Sequence, residues 1–314
     1  GAAPRIATPG DVPPESVAIR CGTVQVMPRR QARDADSAAA WRAGIAARGW
    51  PRAWLHLVDA AEAAALAGQP VGRDGLYFPG GLQVLPPALC AYLLAHPAIE
   101  RQTAQVTRLV AHGARWQAHD AAGAVLGEAD IVVLAAAGAV PGLLAASGLD
   151  WPLGAGLQQV AGQVSLLPVS ARLPPRCIVA GDGYVLPAVA GHAVVGSTYD
   201  HVTPPGSAPP VTAAGHAVNL AHWQTLLPAS SVAQLPAGTG GWAGWRAVLP
   251  GRLPAVGALP GAAGIFLTAA HASRGMSWSA LGGQMLADAL QGAPATVERE
   301  LAACVDPARG SAGA

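Results

Sequence analysis

Residues 264–290, GIFLTAAHASRGMSWSALGGQMLADAL, constrain the fold more than any other part of the chain. Residues 265–270 are a short apolar run of strand length, and from 276 onward Met276, Ala280, Leu281, Met285 and Leu286 recur at helical spacing. Only Ala272, Ser273, Arg274 and Gly275 separate the two patterns. A strand that feeds a helix through so short a turn leaves the first helical N–H groups unpaired. It also points the positive end of the helix dipole at that turn, worth about 0.3–1 kcal/mol to a nearby anion. Arg274 adds a full positive charge. The residues alone leave two readings: a site for an anionic group, or a guanidinium that only bonds loop carbonyls.

Size and charge narrow the rest. A chain of 314 residues holds one large or two modest domains and buries roughly three quarters of its unfolded surface. Charged residues make up 12% and the formal net charge is +1, which excludes the broad basic field of non-specific nucleic-acid binders. Any RNA contact has to be local. Every one of the 19 basic residues is arginine, a bias that carries no functional message. Cys21, Cys90, Cys177 and Cys304 form no CxxC pair and read as free thiols of a reducing cytoplasm. The scattered histidines give no metal-ligand spacing, so no metal is expected. There is no signal-peptide pattern. Residues 131–149, IVVLAAAGAVPGLLAASGL, are uncharged, but Gly138, Pro141, Gly142 and Gly148 interrupt them and no aromatic or basic belt flanks them. They read as strand, glycine turn and short helix, and no membrane span is expected.

Along the chain, residues 1–20 read as loop, 23–27 as a strand and 36–48 as a helix. Asp59 caps a second helix that stops at Gly68, and Pro86 and Pro87 open a third. Residues 104–130 switch to short strands with a turn at 121–123, and 131–138 form a continuous apolar run typical of a buried strand. Residues 157–167, 177–180, 184–186 and 192–197 suggest a mostly antiparallel sheet, with a helix near 213–226. Two Pro- and Gly-dense stretches, 203–210 and 236–241, read as an exposed loop and a connection.

Three stretches in sequence carry a family signature: DGYVLP to HAVVGSTYD (182–200), WRAVLPGRLPAVG (245–257) and AAHASRGMSWSALGGQMLADAL (269–290). In this order they resemble the C-terminal half of flavin amine oxidases of the glycine oxidase, sarcosine oxidase and D-amino-acid oxidase superfamily. PGGLQVLPPALCAYLL (79–94) and ADIVVLAAAG (129–138) fit the same plan. VAGQVSLLP (160–168), the SRG form of the arginine turn and LAACVDPARG (301–310) are most similar to the oxidase domains of bifunctional enzymes that modify the wobble uridine of tRNA. The resemblance covers residues 20–309.

It implies an α/β, mixed α+β chain with the FAD-dependent amine-oxidase fold: an incomplete Rossmann-like FAD domain interleaved with an antiparallel-sheet substrate domain. After an N-terminal loop at 1–19, residues 20–96 and 149–247 would form the substrate domain, and 97–148 and 248–309 the FAD-binding domain. A tail would follow at 310–314. The implied reaction removes the carboxymethyl group of 5-carboxymethylaminomethyluridine in tRNA by C–N oxidation and imine hydrolysis. FAD is the implied cofactor, O2 the electron acceptor, tRNA the partner, and a methyltransferase domain would lie upstream.

By the same resemblance, Arg246 pairs with a substrate carboxylate, which a guanidinium clamps through two parallel hydrogen bonds. The alternative is an internal salt bridge. Tyr184 lines the pocket or is a half-buried strand tyrosine. Arg274, Gly275 and Met276 lie beside the flavin ring, where positive charge and helix N–H groups stabilise its reduced form. Val106 passes the adenine, and Gly138 ends the strand approaching the dinucleotide. Gly162 and Gln163 lie on a strand near the pocket. The pattern departs from the family in several places, among them Leu82 and Gln83 where an aromatic is more usual and an ending without a basic tail. No GxGxxG occurs in the 314 residues, so the chain is expected to start after the segment that holds the FAD pyrophosphate. Ala272 also replaces a common glycine. Two alternatives therefore stay open: an oxidase of a small amino acid such as glycine or sarcosine, and a binding remnant without cofactor.

Overall fold

The computed structural model describes residues 17–169, 174–201, 208–230 and 234–310. The loop expected at 1–19 lies outside them up to residue 16, as do most of the loop expected at 203–210 and the tail at 311–314.

The chain opens with β1 (Ala18–Arg20), β2 (Thr23–Val26), α1 (Ala35–Ala46), β3 (His56–Val58), α2 (Ala60–Ala67), β4 (Gly75–Phe78), β5 (Leu82–Val84) and α3 (Pro86–Leu93). Capping fixes these helices. Asp59 accepts from Glu62 N at 2.8 Å and Gly68 closes α2 in the left-handed region at φ 73°. The first helix starts earlier than expected because Asp34, accepting from Ser37 N at 2.7 Å, is its cap. The middle of the chain holds β6 (Arg108–His112), β7 (Arg115–His119), β8 (Val125–Ala129), β9 (Val132–Leu134), α4 (Val140–Ala146), β10 (Gln158–Pro168), β11 (Ile178–Ala180), β12 (Tyr184–Val185) and β13 (His192–Gly196). The rest is α5 (Ala213–Leu226), β14 (Gly240–Val248), β15 (Ala255–Ala258), β16 (Ile265–Ala269), α6 (Gly275–Gln291) and α7 (Arg299–Ala303).

These elements form two compact units. The first takes residues 1–101, 163–198 and 210–243; the second takes 102–162, 199–209 and 244–314. The boundaries fall inside β10 and β14. An eight-stranded sheet runs in the order β14-β10-β13-β12-β11-β2-β4-β3, antiparallel where β10, β13, β12 and β11 pair, and parallel where β11 meets β2. In the first unit Val24, Val26, Val179, Val185 and Val195 of this sheet bury against Trp223 and Leu226 of α5. Alternation along these strands sends one side inward, and each fully buried Val or Leu contributes about 1.5–3 kcal/mol. A polar clasp seats α5: Gln163 accepts from Thr212 N at 2.8 Å and donates to Thr212 O at 3.0 Å, while Asn219 Nδ2 donates to Ser165 Oγ at 3.1 Å. Gln163 is thus committed to holding a helix.

The second unit has a three-stranded sheet, β15-β16-β9, in which β9 and β16 run parallel, and an antiparallel meander of β6, β7 and β8. Ile265 and Leu267 are fully buried among Leu134, Val140, Leu144 and Leu249. Residues 131–149 are strand, turn and helix as their glycines and proline predict. Among the described residues no helix is long and apolar enough to cross a membrane. Two expectations shift. The strand expected from residue 104 begins at Arg108, because only Thr107 among the preceding residues finds a strand partner, His119 O at 2.8 Å. The strand from residue 131 ends at Leu134 instead of at Gly138, which lies in a 3-10 turn, Ala137–Ala139.

Candidate active site

In the second unit the parallel strands β9 and β16 end side by side, and their carboxyl ends open onto a cavity of about 400 Å³. Open α/β sheets present their ligand crevices at such ends. Ala135 and Ala137 line it from β9, Thr268 to Ala272 from β16 and its turn, Ser279 and Gly283 from α6, and Trp245 to Ala247 from β14. The turn is pinned to β14: Ala272 N donates to Ala247 O at 3.1 Å, and His271 bridges to Val248. This pinning sets the end of β14, which carries Arg246, beside the turn that leads into α6.

Backbone strain concentrates here. Ala137 at φ 47°, Ala270 at φ 60° and Ala272 at φ 51° all line the cavity in the left-handed region. A residue with a Cβ pays about 1–2 kcal/mol there, and such strain clusters at functional sites. The glycine that the family resemblance implies at position 272 would carry no such strain. Ala272→Gly is expected to raise stability by up to about 1 kcal/mol, whereas Ala280→Gly in the exposed helical face lowers it by about 1 kcal/mol. Urea midpoints of the two variants measure this, and a loss for Ala272→Gly equal to that of Ala280→Gly would remove the strain.

Arg246 stacks its guanidinium 4.3 Å from the centroid of the Tyr199 ring and donates to Ala161 O at 3.4 Å. It passes over Gly162, where the guanidinium occupies the space a Cβ would need. Gly162, matched only loosely from sequence, is what lets Arg246 lie flat. Arg274 caps α6 through its carbonyl, which accepts from Ser277 N at 3.2 Å and Trp278 N at 3.0 Å. Its exposed guanidinium forms no hydrogen bond or ion pair with the described residues, so the reading as a donor to loop carbonyls is not what the structure shows. The N–H groups of Gly275 and Met276 have no backbone acceptor, as the first turn of a helix requires. The Met276 side chain is 49% exposed.

Of the expected residues only Arg246 lines this cavity; Arg274, Gly275 and Met276 follow its turn in sequence without being among its lining residues, and the others sit apart from it or in the other unit. Val106, 39% exposed, lines a second cavity of about 810 Å³ with Ala135, Ala136 and Gly142. Gly138 packs on Gln159, whose Nε2 lies 3.5 Å from Gly138 O. Tyr184 belongs to the first unit, half-buried at the start of β12, with its hydroxyl over Gly196. Cys177 is no nucleophile, since burial pushes its thiol up to about 11.

His271 was not singled out from sequence, although it stands within the arginine turn. It lines the cavity with Nε2 3.0 Å from Thr268 Oγ1. Burial holds its imidazole below the ordinary 6.5. Burial does the same to His222 of the first unit, with Asp182 opposing the shift. Both groups bind protons more readily in the unfolded chain, so stability falls as pH drops below about 6.5, and is complete above it. Urea unfolding at about pH 7.5 and about pH 5.5 is expected to show this fall, and His271→Gln to reduce it. An unchanged fall in the variant would assign it elsewhere.

A cavity at strand carboxyl ends fits the ring end of a flavin, and the 17-residue α6, which contributes Ser279 and Gly283 to it, starts next to Arg274 with two N–H groups that have no backbone acceptor. The chain belongs to the FAD dependent oxidoreductase family, whose model matches residues 13–289. FAD is the cofactor of that family. Among individual proteins, the chain is 38% identical to the tRNA 5-methylaminomethyl-2-thiouridine biosynthesis bifunctional protein MnmC of Thiobacillus denitrificans, over 92% of this chain and 46% of that protein. It is 36% identical to the protein of the same name from Burkholderia multivorans, over 88% and 45%. The chain spans about half the length of these relatives. Its fold is shared with glycine oxidase from Geobacillus kaustophilus, at TM-score 0.71 and 21% identity over 91% of this chain and 74% of that one. L-proline dehydrogenase from P. horikoshii has TM-score 0.72 and 15% identity over 94% and 78%.

Proposed function

We propose that this chain is the oxidase part of a bifunctional tRNA-modifying enzyme, and that it removes the carboxymethyl group from 5-carboxymethylaminomethyluridine at the wobble position. The observation that carries the reading is Arg246, which lines the cavity together with the turn after β16 and with Ser279 and Gly283 of α6. FAD, when bound, accepts the two electrons and the hydrogen lost from the carboxymethyl CH2 next to the secondary amine. That loss makes a C=N bond; water adds to it, and the C–N bond breaks to give aminomethyluridine and a two-carbon oxo acid. O2 would take up the two electrons and two protons in turn and leave as hydrogen peroxide.

The chain's own residues do the rest. Arg246 clamps the carboxylate and so fixes which C–H faces the ring, a restriction in which most of the advantage of binding lies. Arg274 and the N–H groups of Gly275 and Met276 hold negative charge at the ring's edge. His271, neutral above about pH 6.5, offers its ring nitrogen as a proton acceptor to the amine side of the cavity. Val106 and Gly138 take the adenosine end and Tyr184 the substrate side. In this reading residues 97–148 and 248–309 are the FAD-binding part, and 20–96 and 149–247 the substrate part. A methyltransferase domain occupies the remainder of the whole protein, which works in the cytoplasm.

Anaerobic titration of the flavin-loaded protein tests this. A tRNA or anticodon stem-loop bearing the carboxymethylaminomethyl group is expected to bleach the flavin absorbance, and the same RNA without the carboxymethyl group is not. Equal or faster bleaching by free glycine or sarcosine would replace tRNA with a small amino acid.

A further inference from the structure

Tyr199 carries an arginine from each of two cavities. Arg246, stacked on its ring, lines the first; the ring itself, with Gln158, His201, Pro250 and Arg252, lines a second of about 320 Å³. The Arg252 guanidinium lies 5.9 Å from the same ring centroid. One exposed aromatic ring therefore carries two arginines, and no carboxylate is among the residues lining the second cavity.

The backbone holds this arrangement at a cost. Arg252 is in the left-handed region at φ 60°, directly after Gly251 at φ 76°. A side chain there is strained by about 1–2 kcal/mol. Its guanidinium makes no hydrogen bond or ion pair with the described residues and lies over the ring. An arginine needed for folding would be expected to bond carbonyls, as Arg309 does to Leu253 O at 2.8 Å and Pro254 O at 2.7 Å. Arg252 instead keeps its five donors available in a chain whose net charge is only +1. The positive charge is local and placed beside an aromatic face.

Such a pairing suits one chemistry. An aromatic ring binds the face of a base or ribose, worth about 1–3 kcal/mol per base, and a free guanidinium binds a phosphate through parallel hydrogen bonds. From this we propose that Tyr199, His201 and Arg252 form a ribonucleotide subsite, in which Arg252 and His201 take a backbone phosphate and Tyr199 supports the attached nucleoside. Arg246, stacked on the same ring, holds the carboxylate of the modified base. The inference rests on the tRNA reading above and adds to it a distance-limited reason for preferring a nucleotide: carboxylate and phosphate are read by two arginines on one ring.

The test is equilibrium binding of uridine 5′-monophosphate, uridine and inorganic phosphate to the full-length flavin-loaded protein, followed by calorimetry. The nucleotide is expected to bind at least tenfold more tightly than either fragment. Arg252→Ala should cut nucleotide affinity at least tenfold while leaving uridine unchanged, and Arg252→Lys should recover only part of it. Tyr199→Ala should weaken both nucleotide and uridine, with Tyr199→Phe close to the parent, which separates loss of the ring from loss of folding. Equal affinity for phosphate and nucleotide would overturn the subsite in favour of a general anion pocket, and so would nucleotide binding indifferent to Arg252. Flavin bleaching by modified RNA is a separate readout. Bleaching without nucleotide binding sinks the subsite alone, and nucleotide binding without bleaching sinks the oxidase reading alone.

Discussion

Gly162→Ala should lower kcat/KM for the carboxymethylated substrate almost as far as Arg246→Ala does, with little change in stability. The added Cβ falls where the guanidinium of Arg246 lies, and the group that must yield is the far end of a flexible side chain. The fold survives while the clamp moves. Losing a charged, two-pronged contact to a carboxylate costs about 2–4 kcal/mol, or roughly 30- to 1,000-fold in kcat/KM. Arg246→Lys keeps the charge but not the planar fork, so most of the loss should remain. The loss should appear in KM as well as kcat, since both binding and the orientation of the C–H depend on the clamp. Steady-state kinetics of the three variants, beside their urea midpoints, settles the matter. Parent-like kinetics in Gly162→Ala with the fold intact would show that Arg246 does not need its present position, and would take it out of the site.

The architecture was largely legible because its signals are local. Capping by Asp59, the proline pair that opens α3, and the strand-turn-helix of residues 264–290 each depend on neighbours within a few positions. What was not legible depends on distant partners. β14 escaped notice because GGWAGWRAV has three glycines and no alternating pattern; it is a strand because β10 lies beside it. The start of β6 was placed too early, since residues 104–106 look extended but have no partner. The family resemblance pointed to Arg246, but Gly162 and Tyr199 are 84 and 47 positions away from it, and only the fold brings the three together. The alanine at position 272 stood out in sequence as a departure, yet its consequence is a backbone angle that no residue type reveals alone.

Arg274→Ala should lower the reduction potential of the bound flavin by roughly 20–45 mV and leave folding nearly untouched. The sign follows from charge: a two-electron reduction that leaves negative charge on the ring is favoured by a cation nearby, so removing the cation makes reduction harder. The size follows from exposure. A buried guanidinium a few ångströms away would count for more, but this one faces solvent, and about 1–2 kcal/mol is a reasonable share, about 30 mV per 1.4 kcal/mol for a two-electron couple. Folding is spared because the side chain bonds to none of the described residues, and the helix is started by the Arg274 carbonyl, which alanine keeps. Arg274→Lys should restore most of the potential, which distinguishes charge from shape. The Gly275 and Met276 N–H groups remain in every variant, so the potential should not fall to that of free flavin. Equilibration of the loaded protein against dyes of known potential provides the measurement. A potential within a few millivolts of the parent in Arg274→Ala, with flavin still bound, would mean that the helix N-terminus carries the whole effect and that the arginine faces away from the ring.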